Sequence, residues 1–279
     1  MLREQCGIPV MTPLPDPHPA RDEGWCYPDT ESGILQAIND GANCLWANTI
    51  LFSDHPLQTS PNIGKYATRL TVVGQPPHLV QAYDEKNFVN SLLRTSGRFT
   101  MPSGCAVCAA DDVEPALTQN HLHLPIVAKP IRGRGSQGVK VCRTLKELRQ
   151  HVAHLGSDIM LEEFLSGTEG TVTVMPPSRD RADYWAMPIV VRFNHENDIA
   201  PYNGVVAVAT NSRVVEPEEM DQDIAFAQVT HECEGVARLL RVKAPIRIDV
   251  RKRADTTESQ FVLFDVNMKP VCRDEQGYE

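Results

Sequence analysis

The sequence predicts an α+β chain in two parts, and three observations carry that prediction. A glycine-rich stretch, "PIVAKPIRGRGSQGVKV" at 125–141, joins two strand-like segments rather than a strand to a helix. A long apolar stripe, Phe226, Val229, Cys233, Val236 and Leu240, repeats at helical spacing. Two alternating segments, "IRIDVRKR" and "FVLFDVN", are joined by "ADTTESQ" as a strand pair.

Taken in order, the first thirty residues contain a proline-rich run, "VMTPLPDPHPARDEGWCYPDT", with few periodic apolar positions, and read as an extended loop. "ESGILQAINDGANCLW" predicts a helix with Ile34, Leu35 and Ile38 apolar and Gly41 as its stop. "ANTILF" and "LTVVGQP" are strand candidates, and residues 1–83 are expected to form an N-terminal α/β unit, incomplete by comparison with a full domain. "YDEKNFVNSLLRTSGRF" predicts a helix capped by Asp84, with the pairs Phe88/Leu92 and Val89/Leu93, and with Gly97 just past its end. In "RTLKELRQHV", Thr144 and Glu147 make a capping box before Leu145, Leu148 and Val152. "DIMLEEFLSGTEGTVTVM" holds two apolar runs around a Ser-Gly-Thr break, and "YWAMPIVVRF" and "GVVAVAT" read as further strands.

Composition bounds the function. The 279 residues are 42% hydrophobic and 23% charged, an ordinary globular mixture. A net charge of −9 argues against a general nucleic-acid surface, and the basic loop is a local exception to it. No stretch approaches the roughly 20 apolar residues of a membrane span. Cys105-x-x-Cys108 lacks a second pair at zinc-like spacing, and eight cysteines in a chain this long read as free thiols. With no secretory signature at the start of the sequence, a cytoplasmic location is expected.

The basic loop admits several readings. Gly133, Gly135 and Gly138 satisfy G-x-G-x-x-G, but that dinucleotide fingerprint needs a helix directly after the loop. Here Val139 and Val141 alternate with Lys140, which is strand periodicity. A Walker A loop would end in Gly-Lys-Ser/Thr, absent from "GVKV". What is left is a glycine hairpin with Lys129 on its incoming strand and Arg132 and Arg134 beside it. Glycines let backbone N–H groups approach phosphate oxygens; a plain hairpin with solvated charges fits the loop equally well.

The last strand pair supplies a second constellation. Ile246, Ile248 and Val250 share one strand face, with Arg247 and Asp249 on the other. Folding the connection near Thr257 sets Asp249 opposite Asp265, within a residue or two, with Asn267 on the same face. Two adjacent carboxylates repel unless a cation lies between them. Oxygen ligands without His or Cys suit Mg²⁺ or Mn²⁺. A simple Arg247–Asp249 ion pair is the alternative.

The order of these pieces resembles the ATP-grasp superfamily, and most closely its D-alanine–D-alanine ligase branch. The resemblance runs from about "GKYATRL" to "DVNMKP" and is most specific in "EEFLSGTEGTVTV". It implies an ATP-grasp domain over 84–279, with a small lobe at about 84–165 and a large lobe at about 166–279. By the same resemblance, Lys86 and Lys129 contact ATP phosphates. The hairpin of Gly133, Gly135, Ser136 and Gly138 closes over them. Glu162, Glu163, Phe164 and Leu165 form the adenine hinge, and Glu169 holds the ribose. Asp249, Asp265 and Asn267 bind Mg²⁺ or Mn²⁺, and Arg247 stabilises the charge developing on the reacting carboxyl.

The implied reaction is ATP-dependent carboxylate–amine ligation through an acyl phosphate, with an amino acid or other small carboxylate as substrate. A homodimer is left open. The alternative is an ATP-grasp nucleotide-binding module without turnover. Two departures bear on the choice. After Asn267 the family continues with a Pro-Gly turn and a further helix, whereas "NMKPVCRDEQGYE" keeps Pro270 without the glycine. "RFNHENDIAPYNGVVAVATNS" stands in place of the substrate-facing loop, offering His195, Asn203 and Asn211 and no clear lysine. Glu31 and Ser32 are the only candidates for the family's N-terminal Glu and Ser.

Overall fold

The structure is a computed structural model that describes residues 7–18, 23–46, 51–133, 136–156, 158–195, 198–199 and 211–268. Two compact units divide the chain, Met1–Gln81 and Ala82–Glu279.

In the first unit, helix α1 (Glu31–Asn39) starts at Thr30, whose hydroxyl accepts from the Gly33 N–H at 3.2 Å. Strand β1 (Cys44–Trp46) follows, then the short helices α2 (Pro56–Thr59) and α3 (Pro61–Gly64), each opened by proline, and β2 (Thr71–Val73), parallel to β1. Ile34, Ile38 and Ile63 form its small core. A strand is present at Cys44–Trp46, just before "ANTILF"; residues 47–50 of the strand expected in "ANTILF" lie outside the described residues. Glu31 accepts hydrogen bonds from Asn62 and Ser60, which hold its carboxyl below the usual range.

Helix α4 (Pro77–Tyr83) spans the unit boundary. The second unit then begins with α5 (Lys86–Ser96). Its cap is Glu85 rather than the expected Asp84: the Glu85 carboxylate takes the N–H groups of Asn87 and Phe88 at 3.0 and 3.1 Å. The helix stops at Gly97, in the left-handed region at φ 64° where glycine carries no Cβ penalty.

Next come β3 (Gly104–Val107), α6 (Val113–Gln119), β4 (Ile126–Pro130), β5 (Lys140–Cys142), α7 (Leu145–Leu155) and β6 (Ile159–Glu163). Among the described residues the four strands form one antiparallel sheet in the order β3-β6-β4-β5. The capping box at Thr144 and Glu147 is present. Ile126, Ala128, Ile159 and Leu161 point to one side and pack with Leu148 and Val152 of α7. Strand alternation turns Lys129, Met160 and Glu162 to the other side.

The larger sheet is built from β7 (Glu169–Met175), β8 (Trp185–Ala186), β9 (Val190–Arg192), β10 (Ser212–Val214), β11 (Ile246–Lys252) and β12 (Phe261–Asn267). The main path is β10-β9-β7-β11-β12, with β8 on β7. The strand expected at "GVVAVAT" lies outside the described residues. Helices α8 (Pro217–Gln222) and α9 (Ile224–Leu240) lie between β10 and β11 in sequence. All five stripe residues of α9 are buried, against Ile246, Ile248 and Val250 of β11. Val89 and Leu93 of α5 join this core, although their helix precedes the four-stranded sheet in sequence. No helix among the described residues is long and apolar enough to cross a membrane.

Candidate functional site

The site is assembled where the two sheets of the second unit face each other through α5. Its floor is the polar face of the larger sheet, read as three paired rows. Glu169, Thr171 and Thr173 of β7 stand opposite Arg251, Asp249 and Arg247 of β11. On the other side of β11, Arg247 pairs with Asn267 and Asp249 with Asp265. The expected apposition of the two carboxylates is therefore observed, with the register in place to the residue.

The register then slips: Val250 pairs with Leu263, so Phe264 is the extra residue of a β-bulge. The Phe264 carbonyl accepts from Lys129 Nζ at 3.1 Å and from Asn90 Nδ2 at 3.3 Å. Lys129, on the four-stranded sheet, thereby reaches the strand that carries Asp265 and Asn267.

Lys86, the first residue of α5, makes a second bridge. Its ammonium donates to the Gly133 carbonyl at 2.9 Å and lies 3.7 Å from Asp265 Oδ1. The glycine hairpin needs its left-handed residues: Ser136 has φ 57° and Gly138 φ 72°, and a Cβ on Gly138 would sit 2.9 Å from Pro130. Gly135 lies outside the described residues.

Asp249 is buried and held on both oxygens. Arg247 donates Nε and Nη2 to it at 3.0 and 3.1 Å, and Asn267 Nδ2 approaches at 3.2 Å. The Arg247–Asp249 pair read from sequence as the alternative is thus present, but partly buried and inside the cluster rather than on an open surface. Behind it, burial pushes the Cys233 thiol well up, with Glu232, Glu234 and Asp249 adding negative charge.

Among the described residues no group of three or more His, Cys, Asp or Glu side chains gathers for a metal. Asp249, Asp265 and Asn267 nonetheless fit a hard divalent ion, as two in-register carboxylates plus an amide. Two observations carry the fit. The protein's own cations, Arg247 and Lys86, already neutralise these carboxylates, so this is a place that favours positive charge. On β7, directly opposite Asp249, the buried Thr171 Oγ1 has no hydrogen-bond partner. That hydroxyl was not anticipated; strand pairing with β7 is what brings it in.

The expected hinge divides. The Glu162 backbone lies within the β3-β6-β4 ladder, opposite Gly104 and Val127. Its carboxylate, 3% exposed, receives Lys129 at 2.7 Å, Asn90 at 2.9 Å and Arg94 at 3.0 Å. Glu163 is also committed, its N–H donating to the Ser103 carbonyl and its carboxylate pairing with Arg253. Phe164 and Leu165 follow the end of β6 and lie outside the ladder. Glu169, expected to face a ribose, is buried and engaged by His195 Nε2 at 2.9 Å, Arg251 at 3.5 Å and Arg192 at 3.7 Å. Asn203 lies outside the described residues, whereas Asn211 is buried.

A glycine hairpin, two converging lysines and a carboxylate pair between two facing sheets define an ATP-grasp protein. Solved structures agree on the fold. Biotin carboxylase from Campylobacter jejuni superposes with a TM-score of 0.62 at 11% identity, covering 87% of this chain and 52% of that one. The D-alanine-D-alanine ligase from Coxiella burnetii gives 0.57 at 14% identity, covering 81% and 58%.

Residues 108–273, more than half of the chain, match the family model described as D-ala D-ala ligase C-terminus, and the chain belongs to that family. A D-alanine–D-alanine ligase of Aquifex aeolicus is 24% identical over 196 residues, covering 67% of this chain and 58% of that protein. The chain thus spans little more than half the length of these relatives.

Proposed function

We propose that this chain binds ATP with Mg²⁺ or Mn²⁺ and uses it to join a small carboxylate, such as an amino acid, to an amine. The observation that carries the reading is the Lys86 bridge, one ammonium between the glycine hairpin and the Asp265 carboxylate. Phosphate oxygens and a divalent ion placed there would answer both the basic flap and the acidic floor.

The roles follow from charge and reach. Lys86 and Lys129 bind and orient the phosphates, with Gly133, Gly135, Ser136 and Gly138 closing over them to exclude water. Phe164 and Leu165 are the hinge positions left for the base, and Glu169 lies on the same polar face for the sugar. Asp249, Asp265 and Asn267 would hold the metal, which when bound neutralises charge on the transferring phosphoryl group. Arg247, always charged, stabilises the oxyanion formed as the amine adds. The substrate carboxylate attacks the γ-phosphate and ADP leaves. The amine then displaces phosphate from the acyl phosphate, and an amide forms. The assignment of residues 84–279 to an ATP-grasp domain and of the N-terminal residues to a partial α/β domain belongs to the same proposal.

Phosphate release from Mg-ATP, assayed against a panel of small amino acids, tests it. Amino-acid-dependent release that falls about 100-fold or more in Asp265→Ala is the expected result, as an interaction worth ~3 kcal/mol would give. ATP binding without release under any panel member would instead identify a nucleotide-binding module. Absence of both would refute the reading.

A further inference from the structure

Lys86, Asn90 and Arg94 are spaced i, i+4 and i+8 and so share one face of α5. Down this face the contacts change in order. Lys86 takes the Gly133 carbonyl, Asn90 takes Glu162 and the Phe264 carbonyl, and Arg94 takes Glu162. Arg94 is further anchored by its Nε, 2.8 Å from the Pro102 carbonyl. Space for it is reserved opposite Glu162: a Cβ on Gly104 would lie 2.9 Å from Arg94 Nη2 and 2.8 Å from Glu162 Cγ.

The charges do not cancel. Glu162 gives Oε2 to Lys129 and Oε1 to Arg94, so two cations divide one carboxylate. Asp265 and Asp249 are matched separately, by Lys86 and Arg247. Lys129 and Glu162 are almost fully buried. An uncompensated charge in such a place is costly unless an anion answers it.

We propose that Arg94 is a positioning residue for phosphate binding. By drawing on Glu162 it leaves the Lys129 ammonium only half neutralised, so that the cluster of Lys86, Lys129, Arg94 and Arg247 with Glu162, Asp249 and Asp265 holds one positive charge in surplus for a polyphosphate. The inference rests on the nucleotide reading above and adds to it a residue that touches no phosphate. Asn90 fixes the geometry by tying Glu162 to the Phe264 carbonyl, so that the shared carboxylate and the bulge stay in line with Lys129.

The test is a charge balance. In Arg94→Met, Glu162 serves Lys129 alone and the surplus is gone. The affinity for ATP and ADP, measured by titration calorimetry on the full chain, is expected to fall about tenfold or more, and that for adenosine to stay within about twofold; a tenfold change corresponds to ~1.4 kcal/mol. Arg94→Lys keeps the charge and should retain most of the affinity. The double variant Arg94→Met/Glu162→Gln removes one cation and one anion, restores the surplus, and should bind ATP more tightly than Arg94→Met. A merely structural arginine predicts the opposite, with the double variant weaker still and adenosine lost in step with ATP; either outcome overturns the proposal. Should Arg94→Met fail to fold, Arg94→Gln in the same cycle gives the same signs.

Tripolyphosphate, which has neither base nor sugar, separates this idea from the reading beneath it. If the wild-type chain ignores ATP but binds tripolyphosphate in an Arg94-dependent way, the nucleotide reading fails and the charge balance stands. If ATP and tripolyphosphate bind equally well with and without Arg94, the charge balance fails and the nucleotide reading stands.

Discussion

Replacing Glu162 by alanine is expected to lower the unfolding free energy by about 3–5 kcal/mol, the cost of stranding buried charge by removing its partner. Two cations depend on this one carboxylate. Lys129 is 2.7 Å away and nearly buried, and Arg94 is 3.0 Å away and only partly exposed. Asn90, itself buried, loses its acceptor as well. Nothing in the β3-β6-β4 ladder compensates, because the backbone of Glu162 is already paired with Gly104 and Val127. Urea denaturation reads the loss as a lower midpoint at unchanged slope. A loss below about 1 kcal/mol, the range of exposed pairs, would mean that Glu162 is solvated and that the network is not closed in solution.

Lys129→Met is expected to do the reverse, sparing the fold and removing nucleotide affinity. Without Lys129, Glu162 keeps Arg94 and Asn90, and the Phe264 carbonyl keeps Asn90. No buried charge is stranded, so stability should change by no more than about 1.5 kcal/mol, as for loss of an ordinary hydrogen bond. ATP affinity should fall about tenfold or more, since the ammonium, already given to Glu162 and the Phe264 carbonyl, has one N–H left for a phosphate, and a charge-assisted hydrogen bond of ~1.5–3 kcal/mol disappears with it. An ATP affinity within about threefold of wild type would remove Lys129 from the phosphate site. The two variants together separate the two sides of one ion pair: Glu162 serves the fold, and Lys129 serves the ligand.

What could be read from the amino acids was local or symmetric. The capping box at Thr144 and Glu147 lies within one turn, and the α9 stripe repeats within one helix of 17 residues. The facing of Asp249 and Asp265 followed from folding a hairpin at its midpoint, and the register holds because the bulge comes on the turn side of that pair. The role of Glu162 needed more. Alternation alone puts Lys129 and Glu162 on outward faces of their strands, but their meeting depends on β4 and β6 pairing so that Lys129 lies beside Met160, two residues from Glu162. That register is a non-local fact, and a run of two glutamates before an apolar pair reads equally well as a hinge.

Arg94 and Asn90 carried a signal that was overlooked. They continue the spacing of Lys86 along a helix whose neighbouring stripe is Val89 and Leu93, so three polar side chains recur beside the buried apolar ones. A buried asparagine on such a stripe asks for a partner, and the partner is a residue 72 positions away. The bulge at Phe264 had no sequence signal, because neither glycine nor proline marks it. It nevertheless decides the site, since it turns a backbone carbonyl toward the Lys129 ammonium. The cap at Glu85 in place of Asp84 is a smaller matter of reach, the longer carboxylate bending back onto two N–H groups of its own helix.

The central claim is that the lysines on one side and the carboxylates on the other meet at a single metal-bound triphosphate. It is tested most directly by measuring ATP affinity with and without Mg²⁺ in the wild-type chain and in Asp265→Asn. The account predicts that Mg²⁺ tightens ATP binding to the wild type by about tenfold or more, ~1.4 kcal/mol, and that this gain vanishes in Asp265→Asn. An ATP affinity indifferent to Mg²⁺, or a gain that survives the loss of the Asp265 carboxylate, would contradict it.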